Sequence, residues 1–219
     1  MITFNDIKNN PEINTYIAQA DASMKAMGYT EHSFAHVTKC AAVASDLLMQ
    51  LGYSEREVEL ARIAGYMHDI GNVVNRNGHA HTGAVIAFKL LDKLGLSAED
   101  TAQVITAIGN HDEHTAFPVN AIAAAVILAD KSDVRRSRVR NRDTISFDIH
   151  DRVNYAVENA ALTLDKEKMT LTLSMNIDTE ICSVMDYFEI FTDRMLLCRK
   201  AAKFFGFTFK ININNAMLL

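Results

Sequence analysis

Apolar residues recur at three- and four-residue intervals over the first two thirds of the 219-residue chain and at two-residue intervals afterwards. The first pattern predicts consecutive amphipathic helices and the second predicts half-buried strands. Cap signals divide the helical part. Thr30 opens a helix that Gly52 closes, and Ser54 with Glu57 forms a capping box for a helix ending at Gly71. Ser97 and Asp100 start another. Further helices are expected from His79 to Leu94 and from Asn120 to Val134, with one more within Thr3 to Met27. Few breakers interrupt them: only Pro11, Pro118 and nine glycines, which mostly sit between periodic segments.

After residue 145 the period changes. Met169, Leu171, Leu173 and Met175 alternate with threonine and serine, and Phe207, Phe209, Ile211 and Ile213 alternate with polar residues. Leu162 and Leu164 precede the polar stretch Asp165 to Lys168, so the first two strands are expected to pair antiparallel. Ile181, Met185, Phe188, Thr192 and Met195 keep helical spacing and are expected to cover one face of the sheet. The chain therefore reads as mainly α, a helical domain over 1–145 and a small α+β unit over 146–219 with antiparallel strands covered by a helix.

Composition narrows the function classes. With 49% apolar and 22% charged residues the chain can build a large core, and a net charge of −5 argues against whole-molecule binding to nucleic acid. The longest apolar run, Ala121 to Ala129, is far shorter than the roughly 20 residues of a membrane span. No charged-then-apolar leader pattern opens the chain, and Cys40, Cys182 and Cys198 form no disulfide framework, so a cytoplasmic location is expected. The cysteines, like His150, read as structural or incidental.

The chemistry sits on the inward stripes. His32, His36, Cys40, Val43 and Leu47 step by four, four, three and four along one predicted helix. His68 continues the stripe of Val58, Ala61 and Gly65, with Asp69 beside it at the helix end. His79, Gly83, Ile86 and Leu90 share a stripe, His111 follows Thr101, Val104 and Ile108, and Asp130 follows Ile122 and Val126. Each helix thus brings a metal-competent side chain inward. A buried carboxylate without a cation costs several kcal/mol, and two of them beside several imidazoles are most simply explained by bound divalent metal.

His36, the doublet His68-Asp69 within Tyr66-Met67-His68-Asp69-Ile70-Gly71, and Asp130 within Leu128-Ala129-Asp130-Lys131 resemble the H…HD…D signature of the HD-domain metal-dependent phosphohydrolases. The resemblance covers about Thr30 to Arg142 and implies an all-helical HD bundle. It extends to the binuclear branch of that family, whose H-x-x-x-G-A pattern matches His79 to Ala84, with His81 as the substitute for His79. Carried over, the resemblance implies that His36, His68 and Asp130 hold one metal, that His79 and His111 hold a second, and that Asp69 bridges them as the catalytic carboxylate. The implied cofactor is two divalent transition metal ions drawn from iron, manganese, cobalt or nickel. The implied reaction is attack of metal-activated water on a small phosphorylated substrate, a nucleotide foremost. His111-Asp112-Glu113-His114 and Ala116-Phe117-Pro118 depart from the H-H-E and Gly-Tyr-Pro motifs of the cyclic-dinucleotide-cleaving branch. His32 and Asp112 are further candidates for an additional metal.

From Lys131 to Arg142 there are six cations against one acid, Asp133. Arginine can grip phosphate oxygens bidentately, and Lys131, Arg136 and Arg138 are the expected substrate-binding residues. Other readings stay open. Some HD-domain proteins use a diiron site for oxygen-dependent cleavage, and a non-catalytic nucleotide sensor or a homodimer is compatible with the same residues. Binding of nucleic acid through the arginine run would reveal itself by salt dependence.

Overall fold

The computed structural model describes residues 2–113, 115–140 and 148–218. The chain forms two compact units, Met1–Asp130 and Lys131–Leu219. The boundary expected at 145/146 and the outermost arginine of the basic run, Arg142, lie outside the described residues.

In the first unit α1 (Phe4–Lys8), α2 (Pro11–Ala26), α3 (Phe34–Leu51) and α4 (Glu55–Met67) are followed by a 3-10 turn at Ile70–Val73. Then come α5 (His79–Leu94), α6 (Ala98–Gly109) and α7 (Ala121–Lys131), whose last residue opens the second unit. Asn10 caps α2 with Pro11 in its first turn, and Ser54 and Glu57 form the expected capping box on α4. The α5 bounds are those predicted. Helix α3 differs: it starts at Phe34 with Ser33 as its cap, not at Thr30. The reason is that residues 30–33 are held as a loop, with the His32 amide donating to Asp21 Oδ1 and the His32 ring against the Thr30 carbonyl.

Two close approaches position the helices. An ideal Cβ on Gly65 of α4 would lie 2.9 Å from the backbone of Ala41, so α3 and α4 meet backbone to backbone there. Gly71 lets the 3-10 turn press on α5, where a Cβ would sit 2.0 Å from the His79 carbonyl oxygen. Helix α4 accordingly ends at Met67, four residues before the predicted Gly71. Helix α7 is apolar all round as far as Ala129, and Ala123 to Leu128 are fully buried, as a helix passing through a core requires. No helix among the described residues is long and apolar enough to cross a membrane.

The second unit opens with a 3-10 turn at Arg136–Arg138 and α8 (Ile149–Ala156), a helix that strand-like alternation further along did not announce. Its sheet has the order β1 (Val157–Asp165), β2 (Thr170–Ile177), β3 (Thr208–Ile213), β4 (Ala216–Met217). β1 and β2 form the expected antiparallel hairpin. β3 instead runs parallel to β2, because α9 (Val184–Phe204) carries the chain back to the starting end of the sheet. β4 pairs antiparallel with β3 through Asn214 and Asn215, both left-handed, the two-residue turn that asparagine tolerates. Met169, predicted as the first strand position, is an exposed left-handed turn residue. The buried stripe of α9 is Tyr187, Phe191, Met195, Cys198 and Ala202, so the predicted phase is displaced at its start, where Met185 is exposed. The two aromatic rings bury more apolar surface than Met185 and Phe188 would, and they set the rotation.

Candidate metal centre

Five helix ends or loops of the first unit bring six side chains together. His36 lies in the first turn of α3, His68 caps α4, Asp69 follows it, His79 opens α5, His111 follows α6 and Asp130 lies in the last turn of α7. His68 and Asp69 are sequence neighbours, yet both reach the same point. Helix α4 stops between them: His68 keeps helical angles, while Asp69 moves to φ −91° and ψ 1°, between the helical and extended basins. Asn72 secures the break by donating from Nδ2 to the Asp69 carbonyl.

The distances divide the cluster in two around Asp69. Its Oδ2 lies 3.5 Å from His36 Nε2 and 3.2 Å from His68 Nε2. Its Oδ1 lies 3.5 Å from His79 Nε2 and 3.9 Å from His111 Nε2. Asp130 Oδ1 joins the first group, 3.3 Å from His36 Nε2 and 3.7 Å from His68 Nε2. Within the groups the ring nitrogens almost touch: His36 Nε2 is 3.3 Å from His68 Nε2, and His79 Nε2 is 3.0 Å from His111 Nε2. The five residues other than Asp130 are buried, and the Asp130 side chain is 12% exposed.

Backbone carbonyls fix the state of three rings. His68 Nδ1 meets the Gly65 carbonyl at 2.8 Å, His79 Nδ1 that of Arg76 at 3.0 Å, and His111 Nδ1 that of Ile108 at 2.6 Å. A carbonyl only accepts, so each Nδ1 carries the proton and each neutral Nε2 presents a lone pair to the centre. Facing lone pairs 3.0 Å apart, beside two carboxylates, repel one another unless positive charge is supplied. Burial opposes charge on Asp69; with His68 and His32 protonated in place of a metal ion, their positive charge and hydrogen bonds from His36 and His68 outweigh it and hold the carboxyl well below the usual carboxylate range. Asp69 is thus an anion awaiting cations. Imidazole is largely neutral above a pKa of about 6.5, so at neutral pH divalent ions meet the demand better than protons do.

One donor atom each from His36, Cys40, His68 and Asp130 fall within 4.8 Å of one another, and so do those of His68, Asp69 and His111. Cys40, read from the sequence as structural or incidental, therefore belongs to the neighbourhood of the centre, with Sγ 3.7 Å from both ring nitrogens of His36. His81, the alternative to His79, is exposed on the outer side of α5. His32 lies beside His36, with ring centroids 5.7 Å apart. Asn72 and Arg76 were not among the sequence candidates. Asn72 Nδ2 donates to Asp69 Oδ1 at 2.9 Å and sets the plane of the carboxylate, while Arg76 Nη1 lies 3.3 Å from His79 Nε2.

The predicted phosphate-binding residues belong to the second unit, and Arg136 and Arg138 are held by carbonyls within it. Arg136 donates from Nε to the Tyr155 carbonyl at 2.6 Å and stacks on the Tyr155 ring, its carbon 4.7 Å from the centroid. Arg138 is buried and donates from Nη1 to the Asp133 carbonyl at 2.8 Å. Lys131 is buried at the end of α7.

The family described as HD domain matches residues 33–189, well over half of the chain. Similarity also reaches an archaeal protein, the uncharacterized protein MJ1020 of Methanocaldococcus jannaschii, which is 22% identical over 188 residues, spanning 75% of this chain and 72% of that protein. The chain belongs to the HD-domain family, and its His/Asp cluster is of the kind with which that superfamily of metal-dependent phosphohydrolases binds divalent metal.

Proposed function

We propose that the protein hydrolyses a small phosphorylated compound, with nucleotides the foremost class, at a two-cation centre. The observation that carries this reading is the division of Asp69, one oxygen toward His36 and His68 and the other toward His79 and His111. His36, His68 and Asp130 would hold one ion, His79 and His111 the other, and Asp69 both. Imidazole with carboxylate suits iron, manganese, cobalt or nickel. Such a pair, when bound, supplies a water of lowered pKa beside a polarised phosphoryl oxygen.

The chain's own residues do the rest. Asn72 keeps the Asp69 carboxylate from rotating, so its two oxygens stay shared between the groups. The carbonyls of Gly65, Arg76 and Ile108 hold three rings in the tautomer and orientation a cation needs, an outer-shell arrangement that raises ligand basicity. Burial keeps bulk water from screening these charges.

A phosphate-release screen of metal-replete protein over nucleotides, phosphomonoesters and phosphodiesters tests the reading. Turnover of at least one class is expected, abolished by chelation and restored by one of the four metals. Substrate-dependent oxygen uptake with no phosphate release would replace it with an oxygenase.

A further inference from the structure

Arg76 lies in the loop between the 3-10 turn and α5 and touches both nitrogens of His79. Its backbone carbonyl accepts from His79 Nδ1 at 3.0 Å, and its guanidinium Nη1 stands 3.3 Å from His79 Nε2. Because Nδ1 carries the proton, Nε2 is a lone pair and the guanidinium is its donor. A cationic group thus already engages the His79 nitrogen that the second ion would take.

The remaining contacts of Arg76 are weak and uncharged. Nη1 is 3.5 Å from Asn72 Oδ1, and the guanidinium carbon is 5.9 Å from the ring centroid of Tyr29, an exposed aromatic. Among the described residues no carboxylate pairs with Arg76, although the chain carries 27 acidic side chains. A half-buried arginine without an acid partner, beside a metal-ligand set, has its planar fork available for an external anion.

We propose that Arg76 is the phosphoryl-binding residue of this site and rests on His79 until a divalent ion takes the Nε2 lone pair. The ion and the guanidinium compete for one acceptor, so metal binding releases the fork. Its backbone hydrogen bond and the Tyr29 contact keep it next to the centre, where it can take two oxygens of a phosphoryl group. This rests on the reading that the site acts on phosphorylated compounds, and it assigns the anion contact to the first unit rather than to the basic run after Asp130.

Two measurements on the full chain test it without requiring turnover. Calorimetric binding of inorganic phosphate to the manganese-loaded protein is expected to weaken on the order of 30-fold in Arg76→Ala, the range of a charge-assisted hydrogen bond. Arg76→Lys keeps the charge without the fork and is expected to recover part of the loss. Titration with Mn²⁺ alone is expected to show the weaker site binding several-fold more tightly in Arg76→Ala, since the competitor is gone. Phosphate affinity within twofold of wild type in both variants, or a weaker metal site unchanged in Arg76→Ala, would overturn the assignment. Absence of hydrolysis by the wild type across the screen above, with Arg76-dependent phosphate binding retained, would remove the hydrolytic reading and leave this one standing.

Discussion

Replacing Asp69 with Ala is expected to abolish turnover, with a loss on the order of a thousandfold or more in kcat, while the chain stays folded. Its two oxygens reach both histidine pairs, so truncation to a methyl group leaves each pair without the carboxylate they share. The surrounding helices are held by apolar burial, including Leu48, Leu60, Ile63, Met67 and Ile108, which the change does not touch. Far-UV circular dichroism and the thermal midpoint in chelator separate the two roles. An unchanged spectrum with no activity is the expected pair of results. Wild-type activity would remove Asp69 from the reaction, and global unfolding would make it a structural residue.

Gly71→Ala is expected to be the most damaging single-methyl change in the first unit. The added carbon would lie 2.0 Å from the His79 carbonyl oxygen, 2.5 Å from the Gly83 nitrogen and 2.9 Å from the Gly83 Cα. All three are backbone atoms of α5, so nothing flexible can yield and the 3-10 turn must lift away. The cost is expected to be about 3 kcal/mol or more, measured as a shift in the urea midpoint, because severe overpacking displaces backbone. The same shift draws Asp69 away from His79, so metal binding at the second group should fail in the fraction that remains folded. Gly109→Ala is the control: its Cβ would meet only the Ala84 methyl, at an ordinary 3.6 Å. Equal stability losses in the two variants would contradict the packing argument.

How much of this was legible in the sequence follows from which forces act locally. Five of the six residues of the cluster were readable because helical periodicity assigns an inward face, and a His or Asp on that face needs a reason to be there, while Asp69 was readable only as the neighbour of His68 at a helix end. The bounds of α5 and the caps of α4 and α6 were readable for the same local reason. Helix α3 starts later than Thr30 because a distant acid, Asp21, holds the His32 amide in a loop. Asn72 and Arg76 gave no signal. They follow a helix whose end was expected at Gly71, and only the packing of that glycine on α5 turns the chain so that both face the site. In the second unit the alternation of β2 and β3 was plain, but their parallel pairing was not, since strand period carries no direction. The phase of α9 was misplaced because its spacing pattern fits either of two adjacent stripes, and the larger rings of Tyr187 and Phe191 decide between them.

An elemental count on metal-replete protein decides whether the cluster is a centre for two cations bridged by one carboxylate. The expected result is two divalent ions per chain in the wild type and one in His79→Ala, with the retained ion still held by His36, His68 and Asp130. One ion per wild-type chain, with His79→Ala leaving that count unchanged, would contradict it.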